Sequence, residues 1–331
     1  ESMRRANAEW DFMGRSFLSW SLANMAMREP GVREPALRAI DRIIDNTLEL
    51  EREEGFRFFL LPYANSRQFV QQPARSQFTD GEIALMLGLR CMVADRDDYR
   101  RELARRVGIM VRRMEASPTL SAESYPNECW TFCNTIALAA IRVHDLLSGE
   151  DHTSLLRRWV AMAKRKLVDS RTGLLVAAYR LDGARIYGPE GSTAWVASHC
   201  LMLVDQAFAR EQYDRARQHL SERCLGFAYA REWPAGTDDG MDIDSGAVVP
   251  GLGASVASSG LAFVAAGSFG DVDFLRRLAA TLEFAAFPVD VGGGRHYAAS
   301  NLLGDAVVLY GLTAGPAWDR LQAARAAGGR P

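Results

Sequence analysis

The chain reads as an all-α protein: an (α/α)6 toroid of about six helical hairpins, with short β-hairpin-like insertions in its loops. Three observations carry that expectation. Helical periodicity recurs along most of the 331 residues and gives about twelve helices. Short turns join them head to tail, among them the acidic turns Asp95-Arg96-Asp97-Asp98, Gly149-Glu150-Asp151 and Gly270-Asp271. The helices also alternate in kind. One set is rich in small residues (Ala137, Ala139 and Ala140; Ala254, Ala257, Ser258, Ser259, Gly260 and Ala262) and can pack closely inside. The other is Arg-rich and belongs against water. No shift in composition divides the chain, so residues 1–331 are expected to form one domain with its site at one open end.

The elements follow in order. Trp10–Arg28 sets Phe12, Met13, Phe17, Trp20, Leu22 and Met25 at helical spacing and stops before Pro30. Glu34–Glu54 opens with Pro35 in its first turn. Gly55–Gln77 reads as a loop of extended character. Helices follow over Thr79–Ala94, Asp97–Met114, Thr131–Leu147 and Asp151–Leu167. Gly173–Leu181 reads as extended, Ser192–Ala207 and Glu211–Leu225 as helices, and Gly226–Trp233 as extended again. The last third predicts helices over Ser245–Ala266, Val272–Phe284, Ala298–Leu312 and Ala317–Ala326, with an extended piece at Val289–Tyr297.

Bulk composition excludes several function classes. A net charge of −2 gives no bias toward nucleic acid or anionic membrane. Arg100, Arg101, Arg105 and Arg106 alternate with acids and apolar residues, as on a solvated helix face. No apolar run reaches the ~18–20 residues of a membrane span. The five cysteines, Cys91, Cys129, Cys133, Cys200 and Cys224, are too few and odd in number for a disulfide framework. A reducing, cytoplasmic location is expected. Glu1-Ser2 ahead of Met3 reads as a cloning remnant, which leaves a removed leader open. There is no P-loop, Gly-x-Ser-x-Gly or strand-linked Gly-x-Gly-x-x-Gly.

Chemistry concentrates in Ser124-Tyr-Pro-Asn-Glu-Cys-Trp-Thr-Phe-Cys-Asn134, which runs straight into an apolar helix. Cys129 and Cys133 have the spacing of half a zinc site, but no second Cys/His pair stands nearby, so no metal is expected. Cys91 and Cys200 read as small core residues; Cys133, among Asn127, Glu128 and Asn134, reads as a site thiol. Glu82 lies in the first turn of its helix, where a carboxylate either serves the site or steadies the dipole. Asp238, Asp239, Asp242 and Asp244 form an acidic run that offers a site acid, hard-cation ligands or a helix cap. His296, beside Tyr297 on a Gly-rich loop, is a candidate base. His199 reads as an inner-helix histidine, and His144, His152 and His219 as surface residues.

From Tyr125–Asn134 onward the chain resembles the linalool dehydratase/isomerase family. The match continues through Asn134–Gly149, the turn at Asp169–Gly173, Ser192-Thr-Ala-Trp195 and Arg231-Glu-x-x-Ala-Gly-Thr-Asp-Asp239, and covers most of residues 10–315. The resemblance implies an (α/α)6 barrel, often oligomeric, without metal or organic cofactor. The implied reaction is loss or addition of water, or allylic isomerisation, on a small isoprenoid alcohol. Cys133 falls on the second of two catalytic cysteines and Ser124 where the first would be. Glu82 falls where the family has an active-site histidine. Gly191 falls near a substrate-contacting tyrosine, with Tyr187 close by. The segment that supplies an Asp and a Tyr across a subunit interface has no counterpart here.

The expected reaction is therefore cofactor-independent lyase or isomerase chemistry on a small, largely apolar molecule. Glu82 and Cys133 would form the acid–base pair, with Tyr125, Asp242 and His296 as further catalytic groups. Substrate contacts are expected from Ser124, Glu128, Cys129, Trp130, Asn134, Tyr187, Trp195, Trp233, Asp239, Asp244 and Tyr297. Two alternatives remain open. One is a carbohydrate-active enzyme using Glu82, Glu128, Asp242 and Asp244, with Trp130, Trp195 and Trp233 as stacking platforms. The other is a non-catalytic binding protein on the same scaffold.

Overall fold

A computed structural model of the chain describes residues 2–237, 246 and 248–328. After a short lead-in, α1 (Ser2–Ala6), the helices come in pairs. These are α2 (Ala8–Arg28) with α3 (Arg33–Glu54), α4 (Gln77–Val93) with α5 (Asp97–Glu115), and α6 (Thr131–Ser148) with α7 (Thr153–Lys166). Then come α8 (Gly191–Leu201) with α9 (Gln206–Leu220), α10 (Val256–Phe269) with α11 (Val272–Ala285), and α12 (Leu302–Thr313) with α13 (Pro316–Gly328). Helices α2, α4, α6, α8, α10 and α12 form a ring in which each packs on the next and α12 packs back on α2. The expected (α/α)6 toroid is the fold. None of the described helices is long and apolar enough to cross a membrane.

Residue size explains the ring. Every residue of α4 except Met92 is buried, so this helix is surrounded on all sides. Its closest neighbour is α6. A side-chain carbon added at Gly81 would meet the Ala137 backbone at 3.4 Å, and one at Gly88 would lie 2.6 Å from Val143 Cγ1. The outer helices are amphipathic instead: α9 buries Phe208, Ala209, Gln212, Tyr213, Ala216 and Leu220 along one stripe. Polar bonds tie hairpins together. Arg106, on α5 and 1% exposed, reaches Asp80 of α4 at 2.9 Å and also contacts Glu51 of α3.

The acidic turns are helix ends. Gly149 and Gly270 close α6 and α10 in the left-handed region, at φ +79° and +67°, where a side chain would be strained. Asp271 then caps α11 through Phe274 N–H, 3.1 Å away.

Strands occur only as short insertions. β1 (Cys129–Trp130), β2 (Ala178–Tyr179) and β3 (Arg185–Tyr187) form an antiparallel sheet in that order. β4 (Ser221–Cys224) pairs with β5 (Phe227–Ala230), β6 (Val248–Val249) with β7 (Ala254–Ser255), and β8 (Pro288–Val291) with β9 (Gly294–Tyr297). Several helix boundaries differ from expectation. Helix α9 starts at Gln206 rather than Glu211, because Asp205 caps it through Phe208 N–H at 2.9 Å. It ends at Leu220 because the following residues pair as β4. Helix α10 starts at Val256 rather than Ser245, because Ser255 caps it through Ser258 N–H at 3.0 Å, after the β6–β7 turn.

Gly191 sits where the Arg231–Glu232 segment and the first turn of α10 press on the start of α8. Its N–H donates to the Glu232 carbonyl at 2.7 Å. An added Cβ would lie 2.4 Å from the Arg231 carbonyl oxygen and 2.0 Å from Ser258 Oγ. Gly191→Ala is expected to destabilise the fold by about 1–3 kcal/mol in urea denaturation. Gly31→Ala, with nothing within 4 Å of the new carbon, should stay within about 0.5 kcal/mol of the parent.

Candidate active site

A cavity of about 360 Å³ opens at one end of the ring. All six inner helices reach it with their first turns: Glu9 of α2, Phe78 of α4, Cys133 of α6, Ser192 of α8, Val256 of α10 and Leu303 of α12 line it. Six helix N-termini therefore face one space. Each carries roughly half a positive charge on its unpaired N–H groups, so negative charge is favoured there. The rest of the wall is largely carbon, from Trp10, Met13, Trp130, Phe132, Leu261 and Val307 among others.

Four titratable side chains line this apolar wall: Glu9, Tyr125, Cys133 and Glu190. Glu9 is held by the start of its helix. Asn7 caps α2, its side-chain oxygen accepting from Glu9 N–H at 2.8 Å and from Trp10 N–H at 3.1 Å. The Tyr125 hydroxyl donates to Glu9 Oε1 in a short hydrogen bond and accepts from Leu61 N–H at 2.8 Å. Its ring stacks on Tyr63, with centroids 4.5 Å apart. Burial, and then the Glu9 carboxylate, push the Tyr125 phenol far above its ordinary range, so it stays a donor. Glu190 is 3% exposed and occupies the N-cap position of α8.

Cys133 is buried in the first turn of α6, and Ser124 hydrogen-bonds its thiol. Burial pushes that thiol well above its usual range, and the nearby Glu9 and Glu82 carboxyls push the same way. At neutral pH it is a protonated thiol. Glu82 lies beside the cavity rather than on its lining. It is fully buried; Oε2 shares a hydrogen bond with Ser16 Oγ at 2.5 Å, and Oε1 has no hydrogen-bond partner among the described residues. Burial raises its pKa to about 8, against the opposing effect of the Ser16 bond.

The other expected residues fall into four groups. Trp130 lines the cavity and donates from Nε1 to Glu128 Oε2 at 3.2 Å, while the exposed Tyr187 packs near its ring. Behind the wall, Cys129 is buried in β1, and Asn134 clasps the backbone of Ala122 through both its amide atoms, at 2.9 and 3.1 Å. Trp195 is a core residue bonded to Ser258 at 3.0 Å. Three residues stand off the cavity: Trp233, His296 on the exposed β8–β9 hairpin, and Tyr297, which donates to Glu283 at 3.0 Å. Asp238, Asp239, Asp242 and Asp244 lie outside the described residues. His199 is buried between Ser268 at 2.7 Å and Tyr310 at 2.9 Å.

Sequence reasoning missed Glu9 and Glu190. Their local signals were ordinary: an Asn cap followed by an acid, and an acid before Gly191-Ser192. Only closure of the ring turns two acids at helix starts into lining groups of one cavity.

Comparison with known proteins gives two findings. The family model of linalool dehydratase/isomerase matches residues 78–303. Solved structures share the toroid at low identity. The unsaturated glucuronyl hydrolase from Bacillus sp. GL1 aligns with a TM-score of 0.60 at 13% identity, over 92% of this chain and 86% of that one. The GH76 alpha-mannanase from Bacteroides thetaiotaomicron aligns with a TM-score of 0.55 at 11% identity, over 94% and 87%. The alpha-1,6-mannanase from Salegentibacter sp. HEL1_6 gives 0.56 at 11%, over 92% and 88%. These identities establish shared architecture and nothing about substrate.

The raised pKa of Glu82 links stability to pH. The unfolded chain loses this proton near 4.5 and the folded chain near 8, so the folded state holds more protons between those values. Stability from this group is full below 4.5 and falls as pH rises toward 8, by up to about 1.4 kcal/mol per unit. Glu82→Gln should flatten that fall when urea denaturation is repeated at stepped pH. Parallel profiles for parent and variant would sink the assignment.

Proposed function

We propose that this chain, which belongs to the linalool dehydratase/isomerase family, removes, adds or relocates a hydroxyl group on a small, largely apolar substrate by acid–base chemistry. The observation that carries the reading is the carbon-walled cavity lined by a carboxylate and a thiol at helix N-termini and by a phenol bonded to that carboxylate. Its size suits a small molecule, and its few polar groups would fix that molecule's orientation.

Glu9 is the proposed base. The start of α2 stabilises its negative charge, and Tyr125 holds one carboxylate oxygen in place, leaving the group aimed into the cavity. Cys133 is the proposed acid. Its proton passes to the substrate hydroxyl, which leaves as water with the C–O electron pair. Glu9 takes a proton from the neighbouring carbon, and that C–H electron pair becomes the new double bond. The thiolate left behind is stabilised by Ser124 and by the N-terminus of α6. A neutral Glu82 beside it adds no second negative charge, which is a supporting role rather than that of the partner acid or base. Glu190 is proposed to bind the hydroxyl from the α8 side. Asp242 remains a proposed catalytic acid, and Asp239 and Asp244 proposed substrate contacts, on their sequence alone. The largely carbon lining favours this reading over a sugar substrate.

The purified chain should convert members of a panel of allylic terpenoid alcohols, linalool included, with gain or loss of water followed by gas chromatography. Glu9→Gln and Cys133→Ala should each lower kcat about 100-fold or more, as expected for loss of a general acid or base. Tyr125→Phe should lower it about 10-fold, by releasing the Glu9 carboxylate. Full turnover in both Glu9→Gln and Cys133→Ala would refute the mechanism. Cleavage of oligosaccharides with no action on any alcohol would refute the substrate class.

A further inference from the structure

The turn between α6 and α7 holds a second group of chemically capable side chains. His144 and His152 were expected at the surface, yet His144 is only 3% exposed, and His152 is half-buried as the N-cap of α7. Gly149, in its left-handed conformation, turns the chain back so that Glu150 and His152 return over the last turn of α6. His144, Glu150 and His152 each present one donor atom, and the three atoms lie within 4.8 Å of one another.

We propose that His144, Glu150 and His152 bind a first-row divalent cation, zinc foremost. Two imidazoles and one carboxylate are a donor set that zinc accepts in tetrahedral geometry, with water in the fourth position. Glu150 is exposed, so water has access.

Two further observations point to an ion. First, His144 Nε2 is buried with no hydrogen-bond partner among the described residues. Buried polar atoms nearly always have a partner, and a cation shared with the neighbouring imidazole and carboxylate would give this nitrogen one. Second, His152 is already oriented as a ligand. Its Nδ1 bonds Asp145 Oδ1 at 2.6 Å, and its Nε2 lies 3.8 Å from Glu150 Oε2. A carboxylate on the far nitrogen of a ligating histidine is the usual outer support in zinc sites. Arg142 is engaged with Asp145 at 3.3 Å.

The site is separate from the cavity. His144 is eleven residues beyond Cys133 on the same helix, about 16 Å along its axis. Neither inference rests on the other. A bound ion would clamp the end of α6 to the start of α7, so its expected role is structural.

The test uses the full, untagged chain after dialysis against chelator, titrated with zinc chloride by calorimetry. One zinc per chain is expected, with a rise in melting temperature. Cobalt(II) in its place should give the intense visible bands of a four-coordinate site. Glu150→Gln changes only an exposed side chain, and His152→Gln a half-buried one; each should weaken zinc binding at least 10-fold with the far-ultraviolet dichroism unchanged. Cys133→Ala should bind zinc like the parent. No zinc uptake by the parent, or uptake unaltered by both Glu150→Gln and His152→Gln, would overturn the proposal.

Discussion

Closure of the inner ring is the constraint on which the rest depends. Helix α12 must meet α2 after the outer helices have returned the chain to the same end each time. The six inner helices therefore run in one sense, and their unpaired N–H groups gather around one opening. Aligned dipoles repel one another, so such an opening is stable only if it collects caps and negative charge. Asn7, Ser255 and Asn301 supply caps there, and Glu9 and Glu190 supply charge. The same acids that stabilise the ring are thus available to a substrate.

Packing around the ring forces some groups into states they would not choose in water. Asp80 is fully buried but meets Arg75 and Arg106, so its charge is matched. Glu82, two residues on along the same helix, has only a serine hydroxyl and is driven toward its neutral form instead. The contrast shows how about half a helical turn separates a structural ion pair from a protonated carboxyl. Burial acts on Cys133 in the same direction, and the two groups sit close enough for their charges to be coupled. In the proposed reaction, a thiol kept protonated in a carbon-lined space is a reserve of one proton for the leaving group.

The architecture was legible because period, turn chemistry and residue size all agree. Small residues such as Ala137 and Ala140 marked the inner helices, and Gly149 and Gly270 marked the ends. Boundaries failed where a capping side chain overrode the apolar pattern, as Asp205 and Ser255 do. The thiol and phenol of the cavity, Cys133 and Tyr125, stood out because both lie in one dense polar segment. Glu9 did not, since its place in the cavity depends on a helix more than a hundred residues away from Tyr125 in sequence. Likewise His144 was read as exposed, because no local pattern shows that the next turn folds back over it.

The cavity wall is divided by hairpin. The carboxylates and the thiol come from α2, α6 and the start of α8, while α10 and α12 contribute mainly carbon, through Val256, Ala257, Leu261, Leu303 and Val307. Under the proposed reaction, proton transfer and molecular shape are thus written on different parts of the chain. Under that proposal, mutation in the last two inner helices would trade one carbon skeleton for another while leaving the proposed proton-handling groups untouched. A lineage built on this toroid can diversify its substrates by drifting in its C-terminal third alone.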